Sequence, residues 1–255
     1  MERSPRSSLN CAEHVLVRES DASLPQLDVA VLHVWTLGLK VDREALSRQE
    51  DSLSVEEWRR VRRYSSAPPA RRFIVRRGLL RWILGKYLHC SPEEIKFVYN
   101  AHGKPFLSPE FSSDLHFSLS HSGEEAALAV GLRDPLGIDV ETVRPVRALG
   151  GTDLVASPAQ DAGRYTRPTA PTDCLSFVQA WTRREAVAKA EGLGLNMFPG
   201  RYEVDGLTDY MLPASTPNVS LYRRGYHIHT LTLSAGYVGA LAARHRTPKI
   251  VYFLL

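Results

Sequence analysis

Acidic residues at Gly137-Ile138-Asp139-Val140-Glu141 are the first in the chain with a chemical pattern. Side chains alternate along a strand, so Asp139 and Glu141 share one face there and Ile138 and Val140 the other. Two carboxylates that close repel unless a proton or cation stands between them. Their hard oxygens suit Mg²⁺, which takes one or two carboxylates and completes its shell with water or substrate phosphates. The same pair would also fit a solvent-facing strand end with Arg144 nearby. The segment Trp181-Thr182-Arg183-Arg184-Glu185-Ala186-Val187-Ala188-Lys189 adds a third acid. On a helical wheel of about 100° per residue, Phe177, Val178, Trp181 and Ala188 share one arc, with Glu185 inside it and Lys189 at its edge. A carboxylate on an apolar arc calls for a partner. The alternative is an ordinary Glu185–Lys189 pair one turn apart, which a surface helix would set opposite Trp181.

A second set of candidates is basic. Nine arginines fall between Arg59 and Arg81. In the helix expected from Pro69 to Leu88, the apolar arc holds Phe73, Leu79, Leu80, Ile83, Leu84, Tyr87 and Leu88. Arg77 projects into that arc and Arg76 lies within its span. A guanidinium fork matches carboxylate or phosphate, so Arg77 meets either a bound anion or an internal partner. Ser120-His121 falls between two expected strands, where a histidine either donates to phosphate or simply turns the chain. Gly103-Lys104-Pro105 is a turn carrying one cation. The formal charge of +4 and sequence pI near 9.0 suit an anionic partner: nucleic acid, nucleotide or acidic protein.

The elements that must position these groups follow from periodicity and punctuation. Strands are expected at Val29–Trp35, Ile95–Tyr99, Leu115–Leu119, Ala126–Val130, Gly137–Glu141, Arg201–Val204, Tyr226–Leu233, Tyr237–Ala243 and Ile250–Leu254. Ser54 caps a short helix running to about Tyr64, Pro68-Pro69 opens the long basic helix, and Gly192 and Gly194 close a helix over Phe177–Ala190. Residues 143–173 read as a long loop, with a short helix starting at Ser157-Pro158. The two halves rhyme: each has a strand, a long helix and a hairpin, ending Ala-Leu-Ala-Val-Gly in one and Gly-Ala-Leu-Ala-Ala in the other. The fold expected is therefore α+β, two similar subdomains over 29–135 and 136–255 behind a poorly ordered leader at 1–28, with the site at their junction. The three scattered cysteines (Cys11, Cys90 and Cys174) point to a reduced, cytoplasmic chain. No apolar run approaches the roughly 20 residues of a membrane span.

In order and spacing these pieces resemble the 4′-phosphopantetheinyl transferases of the surfactin-synthetase type. The matching motifs are Gly103-Lys104-Pro105, Phe117-Ser118-Leu119-Ser120-His121-Ser122-Gly123, Gly137 to Glu141, and Trp181 to Lys189 followed by Gly192-Leu193-Gly194-Leu195. Upstream, Arg72-Phe73 with Arg77, Leu80 and Arg81 is similar to the family's basic helix. The likeness spans roughly residues 55 to 200. It implies a pseudo-dimer of two α+β halves, each a small, mostly antiparallel sheet packed on a long helix. It also implies a reaction: coenzyme A donates its 4′-phosphopantetheine arm to a serine of an apo acyl or peptidyl carrier protein, and adenosine 3′,5′-bisphosphate leaves. Asp139, Glu141 and Glu185 would hold Mg²⁺, or Mn²⁺ in its place, against the pyrophosphate. Glu185 would serve also as general base, and Lys189 would neutralise phosphate charge. Arg60, Lys104, Ser120 and His121 would grip the phosphates of coenzyme A, with Arg72 and Arg77 as ligands or internal partners. The expected partner is an acidic carrier domain served by a monomer, with neither nucleic acid nor membrane involved.

Two departures stand out. Arg184 replaces the family's usual lysine before the glutamate, and Ala156-Ser157-Pro158-Ala159-Gln160 stands where Phe-Ser-x-x-Glu is usual. Two other functions compete with turnover: a module that holds coenzyme A or a carrier without transfer, and a basic nucleic-acid binder or nuclease. The intact acidic trio with Lys189 argues against the first. The lack of any aromatic-interleaved or recognition-helix pattern argues against the second.

Overall fold

The computed structural model describes residues 13–16, 24, 26–143, 171–193, 221–231, 233–245 and 248–255. The strand expected at Arg201–Val204, the helix start at Ser157, the Ala156–Gln160 segment, and Gly194 and Leu195 lie outside the described residues. Strands β1 (Glu13–Leu16), β2 (Val31–Gly38), β5 (Leu115–Ser122), β6 (Glu125–Leu132) and β11 (Lys249–Leu254) form one sheet in the order β1-β11-β2-β6-β5. Strands β7 (Gly137–Thr142), β8 (Leu221–Arg223), β9 (Tyr226–Thr230) and β10 (Tyr237–Ala243) form a second, β7-β10-β9-β8. A hairpin, β3 (Phe97–Tyr99) and β4 (Pro105–Leu107), stands apart.

Side-chain alternation stacks these sheets. The odd residues Trp35 and Leu37 of β2 and the even residues Leu128 and Val130 of β6 face α3 (Ala67–Leu88), meeting Val75, Leu79, Leu80 and Ile83. The opposite faces of both sheets meet each other: Leu32, Val34, Ala127, Ala129 and Tyr252 on one, Ile138, Val140, Leu241 and Ala243 on the other. The remaining face of the second sheet takes α4 (Pro171–Glu191), where Ala180, Trp181, Ala186, Val187 and Ala190 pack on Ile228, Ala240 and Ala242. The order of layers is thus helix, sheet, sheet, helix.

Three features differ from the sequence-based expectation. The second sheet is wholly antiparallel, but the first is mixed, because β11 pairs parallel with both β2 and β1. The last strand therefore belongs to the first sheet. Part of the expected leader, Glu13–Leu16, is the strand that pairs with β11. Helix α1 (Arg43–Asp51) was not expected. It is polar almost throughout and buries only Gln49, yet Asp42 Oδ1 caps it by accepting from Ala45 N at 2.7 Å. Helix α2 (Val55–Val61) begins with the expected Ser54 cap, completed by Glu57 into a capping box. Among the described residues no helix is long and apolar enough to cross a membrane.

Candidate functional site

Strand β7 lies at an open edge of the second sheet, and β5 at an edge of the first. Bare N–H groups at a sheet edge need partners. Here Ile138 N, Val140 N and Thr142 N donate to Ser118, Ser120 and Ser122 Oγ at 3.1, 3.3 and 3.1 Å. Serine at every second position of β5 thus stitches the two sheets at the point where the acidic motif runs.

Those serines also set the carboxylates. Ser120 Oγ donates to Asp139 Oδ1 and Ser122 Oγ to Glu141 Oε2, both at 2.9 Å. Lys189 Nζ, from α4, donates to Asp139 Oδ1 and to Ser120 Oγ, both at 2.7 Å. The other oxygen of Asp139, Oδ2, is buried without a hydrogen-bond partner among the described residues. Asp139 and Glu141 are on the face of β7 toward α4, as alternation required, and Glu185 is buried there too. Burial first, then the charge of Asp139, raises Glu185 to about 7 against the pull of Lys189 and Arg184. The same two causes raise Glu141. The sequence wheel contrasted an apolar arc with a polar one, but every residue from Trp181 to Ala188 is buried. Lys189 reaches across to β7 and β5, which is more than a surface pair within one helix.

Among the described residues no three His, Cys, Asp or Glu side chains are gathered at metal-ligand spacing. The donor set nevertheless fits a hard divalent cation. It offers a buried carboxylate oxygen without a hydrogen-bond partner, and two further carboxyls that this charge pushes upward.

The basic candidates separate into three places. His121 lies within β5 and not in a turn, so it points to the opposite face from Ser120, toward α3. Packing around its ring, then the charges of Arg76, Lys189 and Arg72, hold it well below its ordinary value, although the residue remains exposed. Arg72 pairs with Glu124 at 2.8 Å. Beyond it, the guanidinium groups of Arg60, Arg76 and Arg77 lie 5.1, 5.7 and 5.8 Å from the centroid of the Phe73 ring. A cavity of about 980 Å³ opens beside them, lined by Arg60, Arg63, Tyr64, Phe73, Arg77 and Tyr99 among others. Arg77 has an internal partner, Glu57, at 3.2 Å, and Arg81 meets the same carboxylate at 2.8 Å. Lys104 is elsewhere: its Nζ donates to the backbone oxygens of Lys189 and Leu136 at 2.6 and 3.2 Å. The sequence reading missed three contributors: Phe73 as a platform, Ser122 as the donor to Glu141, and Asn100, which donates to Gly192 O at 2.7 Å. A period-two serine pattern signalled the second; nothing local signalled the others.

Comparison with known proteins gives the chain its relatives. A family model described as 4′-phosphopantetheinyl transferase, N-terminal, matches residues 41–132, and one described as 4′-phosphopantetheinyl transferase superfamily matches 135–242. The chain is 35% identical over 166 residues to the 4′-phosphopantetheinyl transferase HetI of Nostoc sp., covering 64% of this chain and 70% of that protein. It is 27% identical over 226 residues to the 4′-phosphopantetheinyl transferase Sfp of Bacillus subtilis, covering 82% of this chain and 91% of that one. With one such model matching each half and a relative 35% identical over 70% of its own length, the chain belongs to the 4′-phosphopantetheinyl transferase superfamily.

Proposed function

We propose that this protein moves the 4′-phosphopantetheine arm of coenzyme A onto a serine hydroxyl of an apo acyl or peptidyl carrier protein. The observation that carries this reading is the buried Asp139 carboxylate. One of its oxygens is taken by Lys189 and Ser120, and the other is buried with no hydrogen-bond partner among the described residues. Phosphoryl transfer needs positioning and charge cancellation more than covalent help. Mg²⁺ held by Asp139, Glu141 and Glu185, or Mn²⁺ in its place, would offset charge on the pyrophosphate.

The chain's own residues supply the rest. Glu185, with a carboxyl poised near 7, accepts the proton of the carrier serine, directly or through one water. The serine oxygen bonds to the pantetheine-side phosphorus, the bond from that phosphorus to the bridging oxygen breaks, and adenosine 3′,5′-bisphosphate leaves with the bonding pair. Lys189, anchored on Asp139 but part-exposed, donates to phosphate oxygen as that charge develops. Arg60 and Arg72 form a cationic approach suited to the remaining phosphates, with His121 beside it as a neutral ring whose N–H can donate to them, and the excess of basic residues suits an acidic carrier domain.

The test is intact-mass measurement of a panel of apo acyl and peptidyl carriers after incubation with the protein, coenzyme A and Mg²⁺. A mass gain equal to phosphopantetheine on at least one carrier is expected. Asp139→Ala and Glu185→Gln should each reduce transfer on the order of 10²-fold or more while leaving the fold intact. No gain on any carrier overturns the reading, and near-normal turnover by Glu185→Gln removes that residue from its assigned role.

A further inference from the structure

We propose that Lys104, together with Asn100, is a positioning residue that fastens the end of α4, and so Lys189 and Glu185, to the first half of the molecule. The kinetic side of this proposal rests on the transferase reading; the structural side does not. Helix α4 ends in a Schellman arrangement: Gly192 has φ +73°, Gly192 N donates to Lys189 O at 3.2 Å, and Leu193 N to Ala188 O at 3.0 Å. The turn between β3 and β4 closes over that end. Lys104 Nζ lies 2.6 Å from Lys189 O, 3.2 Å from Leu136 O and 3.5 Å from Ala190 O. An ammonium has three N–H bonds, and three carbonyls account for them. Two of those carbonyls belong to the last turn of α4, where the helix dipole favours a cation. The third belongs to the residue just before Gly137, where β7 begins.

Asn100 completes the clamp. Its Oδ1 accepts from His102 N and Lys104 N, both at 2.9 Å, which fixes the turn, and its Nδ2 donates to Gly192 O at 2.7 Å. The turn sits so close that a Cβ on Gly192 would lie 3.0 Å from Asn100 Nδ2. Lys104 is therefore committed to backbone carbonyls, and burial first, then the charge of Lys189, lowers it to about 8. The mechanical consequence is direct. Lys189 receives the clamp on its carbonyl oxygen and sends its ammonium to Asp139, while Glu185 stands one turn earlier on the same helix. Loosening the clamp moves both groups against β7.

The experiment compares Lys104→Met, which keeps the stem and loses the cation, with Lys104→Arg, Asn100→Ala and the Lys104→Met/Asn100→Ala double variant. Two readouts are taken: kcat and KM for coenzyme A separately, and amide hydrogen exchange along α4 in the free protein. Lys104→Met and Asn100→Ala should each lower kcat roughly 10-fold or more, with KM for coenzyme A held within about 3-fold. Both should speed exchange at Ala186 to Leu193 and leave α3 unchanged. The double variant should lose less than the product of the singles, because one clamp is removed either way. Lys104→Arg should recover part of the loss. A KM rise of about 10-fold with kcat and exchange unchanged would instead make Lys104 a phosphate ligand and overturn the proposal. Unchanged exchange with unchanged kinetics would overturn it too. Should the unsubstituted protein modify no carrier, the transferase reading fails, and the exchange data alone still decide whether the clamp exists.

Discussion

Gly137→Ala separates the packing of the acidic strand from its chemistry. A Cβ at this position would stand 2.0 Å from Ala186 O, 2.3 Å from Ala190 N and 2.9 Å from Lys189 C. All three are backbone atoms of α4, so no side-chain rotation relieves the contact. The helix must withdraw from β7 by on the order of 1 Å, an overpacking that costs about 1–3 kcal/mol. Alanine loses less chain entropy than glycine on folding, which returns at most about 1 kcal/mol. The net loss is about 0–2.5 kcal/mol, a fall of up to several degrees in Tm for a chain of this size. The larger effect is functional. Lys189 and Glu185 ride on the displaced helix, and the 2.7 Å bond from Lys189 to Asp139 spans that gap. Misplacing a catalytic group by about 1 Å costs on the order of 10²-fold in rate. The assay is carrier modification followed by mass, alongside a thermal melt. Gly38→Ala is the control, since a Cβ there meets nothing within 4 Å. A Gly137→Ala protein with wild-type melting and wild-type kcat would refute the claim that α4 rests directly on the β7 backbone.

Two further predictions concern stability. His33 is fully buried, with Nδ1 2.7 Å from the Tyr87 hydroxyl, which accepts from Trp35 Nε1 at 3.0 Å; burial, then the charge of Lys249, lowers it from 6.5 to about 4. The unfolded chain binds that proton more readily, so stability should fall as pH drops from 6.5 through 4, by up to about 3 kcal/mol. Urea melts across that range should show a shallower slope in His33→Gln, and an unaltered slope refutes the assignment. Glu57 is buried against Arg77 and Arg81. Glu57→Gln should cost about 3–5 kcal/mol by leaving two guanidinium groups short of an anion, and a denaturation midpoint equal to wild type would count against the pair as a unit.

Period-two alternation put Asp139 and Glu141 on one face and Ile138 and Val140 on the other, and the layers agree: Ile138 and Val140 meet the first sheet. Capping chemistry likewise made Ser54 and Gly192 readable as helix ends. Both signals are local, since they depend only on what a strand or helix does to its own side chains. Helix α1 escaped because its one buried side chain, Gln49, is polar and packs where Gly78 leaves room: a Cβ on Gly78 would lie 2.4 Å from Gln49 Oε1. In Arg43–Asp51 only Ala45 and Leu46 are apolar, so no stripe announces the contact.

The edges of the sheets explain the remaining misses. A strand's own periodicity fixes its two faces and says nothing about the two strands beside it. Nothing in Lys249–Leu254 distinguishes a place beside β10, next in the chain, from its place between β1 and β2. The same blindness hid how the halves join at the expected junction, where β5 and β7 are linked by hydroxyls and not by a backbone ladder. It also hid the carbonyl partners of Lys104. A lysine in an exposed-looking turn reads as free for a phosphate until the helix end beneath it is in view, and that helix is 85 residues further along the chain. The acidic trio was legible because two of its members share a strand and the third follows a helical arc. The side chains that hold the trio in place come from neighbours no local period can name.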